Sequence, residues 1–150
     1  YGLVGSEMCI RDRDEDAYCL EVFGKRPLAL MESCDYIGKD VYFAHGIFFT
    51  DEELDLLAET RTGVSHCPSS NMRLGSGIAR IVEMRQRGIP VSIGVDGSAS
   101  NDSSDYLGEM RNAMLLQRVH YGSDAMGARE VLDMATVGGP KLSGLKRSVA

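Results

Sequence analysis

Three short apolar runs, each stopping at a polar side chain, constrain this chain more than any other feature. They are Val41-Tyr42-Phe43-Ala44-His45-Gly46, Thr62-Gly63-Val64-Ser65-His66-Cys67-Pro68 and Pro90-Val91-Ser92-Ile93-Gly94-Val95-Asp96-Gly97. β-branched and apolar residues run nearly unbroken and then end at Gly or Pro, the pattern of strands buried on both faces of a parallel sheet. Helical patterns separate the three, as βα units require. In a parallel barrel all C-terminal strand ends open onto one face, where ligands gather. His45, His66 and Asp96 are therefore expected to converge.

The intervening pattern is helical in six places. Ala17, Leu20 and Phe23 predict a short helix over 14–23 that ends at Gly24, and Arg26-Pro27 opens another carrying Leu28, Leu30 and Met31. Thr50 followed by Asp51-Glu52-Glu53 is an N-cap with an acidic first turn, and Leu54, Leu57 and Ala58 form its apolar stripe. Residues 69–77 read as a small-residue loop leading to Ile78, Ile81, Val82 and Met84 at helical spacing, with Gly88 as the C-terminal cap before Pro90. Residues 96–104 form a polar loop long enough to fold over a site. A longer helix over 105–120 carries Leu107, Met110, Met114, Leu115 and Val119, its methionines filling core. Residues 128–135 supply one more, ended by Gly138-Gly139-Pro140. Three strands are too few to close a (β/α)₈ barrel, so the chain is either a small doubly wound domain or one end of a barrel.

Composition excludes several classes. The net charge is −6 and no basic run exceeds two residues, which disfavours nucleic-acid binding. No stretch approaches the roughly 20 apolar residues of a membrane span. Cys9, Cys19, Cys34 and Cys67 show no C-x-x-C spacing, and a reduced, cytoplasmic setting fits them better than a disulfide framework. Residues 1–13 show no periodicity and resemble the translated read-through of a sequencing adapter, so they are set aside from the fold. Residues 145–150 read as a truncated tail, which leaves 14–144 as a partial domain.

Taken singly, the polar strand ends are ambiguous. Asp96 at the end of a buried strand must be hydrogen-bonded, paired or bound to a cation; loop capping and metal ligation are both open. His45 is either a hydrogen-bonded strand-end residue or a ligand and proton carrier. His66 either holds its loop or contacts substrate, and His120 at a helix C-terminus has no assigned chemistry.

Together the motifs say more. Phe43-Ala44-His45-Gly46, the run from Ser65 through Asn71 to Gly77, and Gly94-Val95-Asp96-Gly97-Ser98-Ala99-Ser100-Asn101-Asp102 resemble the C-terminal half of the metal-dependent amidohydrolase superfamily. The resemblance lies in its purine and triazine aminohydrolase branch, towards members acting on oxidised guanine, and covers residues 14–144. It implies an α/β chain forming the C-terminal part, about three βα units, of a (β/α)₈ TIM barrel, with strands matching the sixth to the eighth. It implies that Asp96 ligates a divalent metal, zinc or iron, and takes a proton from water, while His45 stands beside that water. His66, Asn71, Ser100 and Asn101 are implied to bind a small heterocyclic substrate, and the parent has room to be a homo-oligomer.

The implied reaction is hydrolytic deamination of an amino-substituted purine-like ring. The alternatives are triazine dechlorination, amide hydrolysis, or an inactive piece that binds no metal. The family pattern also asks for a His-x-His pair, a further histidine ligand and a proton-shuttling glutamate upstream of these motifs, whereas this sequence holds only His45, His66 and His120. The chain as written is therefore expected to hold metal weakly and to be inactive by itself.

Overall fold

The computed structural model describes residues 7–10 and 13–142. Its centre is a four-stranded sheet in the order β1-β2-β3-β4, from β1 (Glu7–Ile10), β2 (Tyr42–His45), β3 (Gly63–His66) and β4 (Val91–Ile93), with every neighbouring pair parallel. The three expected strands are present. The fourth, β1, lies inside the segment set aside from the sequence, and it pairs with the edge of β2, whose backbone N–H and C=O groups are a template for another strand. The tail 145–150 lies outside the described residues.

Helices α1 (Arg13–Phe23), α2 (Pro27–Ser33) and α3 (Asp51–Thr60) form where their signals stand. Gly24 leaves α1 at φ +66°, and Pro27 occupies the first turn of α2. Thr50 caps α3 in a capping box: its Oγ1 accepts from Glu53 N while Glu53 Oε2 accepts from Thr50 N. Leu54 and Leu57 of α3 are fully buried.

The remaining elements are α4 (Pro68–Arg73), α5 (Ile81–Gln86), α6 (Tyr106–Tyr121), α7 (Ala128–Asp133), a π-helical turn (Met134–Gly138) and α8 (Gly139–Leu142). Three depart from expectation. The first half of the 69–77 loop is helical as α4, because Pro68 pre-sets the first turn and Asn71 N–H bonds Cys67 O. Gly138-Gly139-Pro140 does not stop the last helix; the chain passes through the π turn into α8. There Gly138 presses on β4 so closely that a Cβ would stand 2.4 Å from Val91 O. On α6 the fully buried positions are Glu109, Ala113 and Gln117, while Leu107 and Val119 are exposed at 74% and 81%. Met110 and Met114 do pack against the core, as expected. Among the described residues no helix is long and apolar enough to cross a membrane.

The core lies between one face of the sheet and the helices. Phe43, Val64, Val91 and Ile93 meet Leu54, Leu57, Ile81, Met84, Ala113, Val131 and Met134. The register sets Ala44 beside Ser65 and Ser65 beside Ser92, so the opposite face is a row of small residues. The helix layer is tied at its surface by Arg80, which bonds Asp51 and Glu83, and by Arg87, which bonds Asp51, Asp55 and Glu83. Tyr121 OH also donates to Glu83 at 2.7 Å.

The Arg80 hydrogen bond, against an opposing cost of burial and helped by Tyr121 and Arg87, lowers the Glu83 carboxyl from its ordinary 4.5 to about 2. A depressed folded-state pKa stabilises above the unfolded value and is lost as pH falls through the folded one. Stability measured by urea unfolding is therefore expected to fall between pH 4.5 and about 2. Glu83→Gln should flatten that slope by about 1–2 kcal/mol, a partly exposed network being worth less than the full shift.

Candidate active site

β2 and β3 end on adjacent histidines, and the register that pairs His66 with Ile93 sets the end of β4 beside them. Asp96 follows three residues later. His45 and Asp96 both hold φ in the left-handed region, at +68° and +64°, which non-glycine residues adopt at a cost of about 1–3 kcal/mol and keep only where surrounding contacts enforce it. The outcome is that His45 Nε2 stands 3.7 Å from Asp96 Oδ2.

Those contacts are specific. His45 is fully buried, and its Nδ1 meets Asn71 Oδ1 at 2.8 Å. With Asn71 Oδ1 as acceptor the ring proton sits on Nδ1, leaving Nε2 as a lone pair with no hydrogen-bond partner among the described residues. Asp96 Oδ2 accepts from Ser70 Oγ at 2.5 Å and Ser100 Oγ at 2.8 Å, and Oδ1 accepts from Gly97 N at 2.7 Å. Burial works against the Asp96 charge, yet the bonds from Ser70, Gly97 and Ser100, with His45 nearby, outweigh it and hold the carboxyl below its usual range. Both readings of Asp96 thus meet in one place: it caps its own loop and still presents a charged oxygen to an imidazole nitrogen.

His66 differs. It is fully buried, neither ring nitrogen has a partner among the described residues, and burial followed by the neighbouring His45 drives its pKa down to about 3, so it is neutral. Of the residues expected to bind substrate, Asn71 and Ser100 are brought onto His45 and Asp96. Asn101 is turned inward, its Nδ2 donating to Val95 O and to Glu109 Oε1. Ser70 was not singled out from the sequence, although it lies inside the quoted motif, and buried Glu109 carried no signal. A cavity of about 300 Å³ opens beside Asp96 on the small-residue face, lined by Tyr42, Ser65, Cys67, Gly94 and Gly97. A larger one of about 380 Å³ lies at the opposite end of β4, around Pro90 and Gly138, away from these groups. Cys67 is buried at 4% exposure.

The chain belongs to the amidohydrolase family, whose pattern matches residues 9–149. Within it, the 8-oxoguanine deaminase of Pseudomonas aeruginosa is 46% identical over 131 residues, 87% of this chain and 29% of that protein. An adenosine deaminase from Xanthomonas campestris, solved with bound zinc, is similar at TM-score 0.87 and 32% identity, over 90% of this chain and 31% of that one. Atrazine chlorohydrolase from Arthrobacter aurescens, complexed with zinc, is similar at TM-score 0.89 and 29% identity, over 94% and 32%. The chain spans less than a third of these relatives' length, and their barrel-type fold is the one its parallel βα units share.

A divalent metal belongs to this family, and the lone pair of His45 Nε2 facing the Asp96 carboxylate fits part of such a site. Among the described residues no group of three or more His, Cys, Asp or Glu side chains is placed to hold an ion, and catalytic zinc usually takes three protein ligands. The purified chain is therefore expected to bind zinc weakly in titration calorimetry, without defined stoichiometry. A tight one-to-one complex, abolished by Asp96→Ala, is the opposite result.

Proposed function

We propose that this chain is the C-terminal barrel portion of a metal-dependent hydrolytic deaminase acting on an amino-substituted, purine-like ring of the 8-oxoguanine type. The observation that carries the reading is the His45–Asp96 pair, set at the C-terminal ends of β2 and β4, on either side of β3, by strained backbone and aligned hydrogen bonds. In this reading β2, β3 and β4 are the sixth to eighth barrel strands and β1 occupies the place of the fifth. The backbone partner of His45 across that pairing is Ile10.

Asp96 would hold the metal, zinc or iron, which when bound supplies Lewis acidity to the reaction. Protonation of the ring and the leaving ammonia would fall to the upstream glutamate that the family pattern asks for, and this chain's own residues handle the attacking water. Asp96 takes a proton from the attacking water on a carboxylate that Ser70, Gly97 and Ser100 keep ionised. His45 turns Nε2 towards the same water and orients it, with Asn71 fixing which nitrogen is bare. Neutral His66, fully buried at the end of the neighbouring strand β3, helps shape the pocket without adding charge. Asn71 and Ser100 also position these two groups, and with His66 and Asn101 they remain the residues proposed to bind the heterocycle.

The rival within the family is displacement of chloride, since atrazine chlorohydrolase is as similar in fold as the adenosine deaminase and strand-end residues can be shared while pocket loops differ. The deciding experiment joins residues 14–144 to the missing upstream portion of the barrel and compares ammonia with chloride release on matched substrates. Ammonia from 8-oxoguanine, guanine or isocytosine is expected. Asp96→Asn should nearly abolish turnover, His45→Asn should lower kcat by roughly 10²-fold, and His66→Asn should be milder. Chloride release from a chlorotriazine with no ammonia from any aminopurine or aminopyrimidine refutes the deaminase reading.

A further inference from the structure

Glu109 is a carboxylate at 1% exposure on α6 that the proposed chemistry does not use. A buried charge needs strong partners, and those of Glu109 come from two different loops. Its Oε1 accepts from Asn101 Nδ2 at 2.7 Å and its Oε2 accepts from Ser69 N at 3.1 Å. One turn further along α6, Asn112 Nδ2 donates to Ser69 Oγ at 2.9 Å.

Both loops carry the site. Ser69 directly precedes Ser70 and Asn71, which hold Asp96 and His45. Cys67, the N-cap of α4, makes no side-chain capping bond, so Glu109 supplies the acceptor that this helix start lacks. On the other side, Asn101 directly follows Ser100, which also holds Asp96, and its Nδ2 bonds Val95 O immediately before Asp96. We infer that Glu109 is a positioning residue: a buried strut that locks the loops after β3 and β4 together and thereby sets the His45–Asp96 separation.

The role is a matter of reach and charge. Only a carboxylate accepts from both N–H donors at once. Glutamine keeps the volume but turns an NH₂ group against one of them, releasing one loop while leaving the apolar packing of α6 intact.

The first arm of the test uses the 150-residue chain labelled with ¹⁵N-histidine and needs no substrate. Glu109→Gln is expected to broaden or abolish the slowly exchanging His45 Nδ1–H signal. Amide exchange in residues 69–71 should rise by about tenfold or more with exchange in β2 and β3 unchanged. Asn112→Ala, a less buried change on the same strut, should give the same pattern to a smaller degree. An unaltered His45 signal in both variants, or strand amides accelerated by the same factor as residues 69–71, overturns the inference.

The second arm rests on the proposed function. In the restored enzyme Glu109→Gln should lower kcat by about 10- to 100-fold with KM within about twofold, and an unchanged kcat overturns the inference. Because the first arm is independent of turnover, it decides the matter even where the wild type releases no ammonia, a result that counts against the proposed function alone.

Discussion

The parallel register of the sheet is the constraint on which everything else rests. Strands that run the same way must end on the same edge, and pairing Ala44 with Ser65 and His66 with Ile93 leaves no freedom in which side chains stand there. A slip of one residue would turn Phe43, Val64 and Val91 out of the apolar layer, so the core that holds the helices also holds the register. Function inherits its geometry from a packing requirement, which is why His45 and Asp96, 51 positions apart in sequence, are side by side.

Electrostatics completes what the register begins. The Asp96 carboxylate is drawn into partly buried surroundings where its charge is costly, and three donors compensate. The balance leaves it ionised beside a bare imidazole nitrogen, an arrangement complementary to a cation. His66 shows the alternative outcome: a titratable group buried without partners simply stays neutral. Two histidines on neighbouring strands thus hold different roles because only one of them reaches a carboxylate.

The frame of the fold was legible in the sequence because it depends on local signals. Apolar runs marked β2, β3 and β4, and Thr50, Pro27 and Gly24 marked helix ends at the positions where they act. Misreadings came where tertiary context overrides local preference. Pro68-Ser69-Ser70-Asn71 has loop composition, but α4 forms because its first turn is capped from α6, a partner 40 residues away. Gly138-Gly139-Pro140 looks like a stop, but the glycine is there to let a π turn touch β4. Glu109 on an apparently amphipathic helix reads as a solvated charge, and only folding shows that its face of α6 is the buried one. Residues 7–10 lack periodicity, and their strand exists because β2 offers an edge. At the site, His45 and Asp96 were visible as strand-end residues, whereas Ser70 and Glu109 act through contacts that no spacing announces.

The left-handed backbone at His45 and Asp96 has a consequence for how such a chain can change over time. Both positions adopt a conformation that glycine holds without strain, so glycine there relaxes the backbone but gives up a buried imidazole at one and a partly buried carboxylate at the other. Keeping a histidine and an aspartate at these two angles therefore carries a backbone cost that the fold itself does not require, and it is met only where the side chains' own contacts hold them.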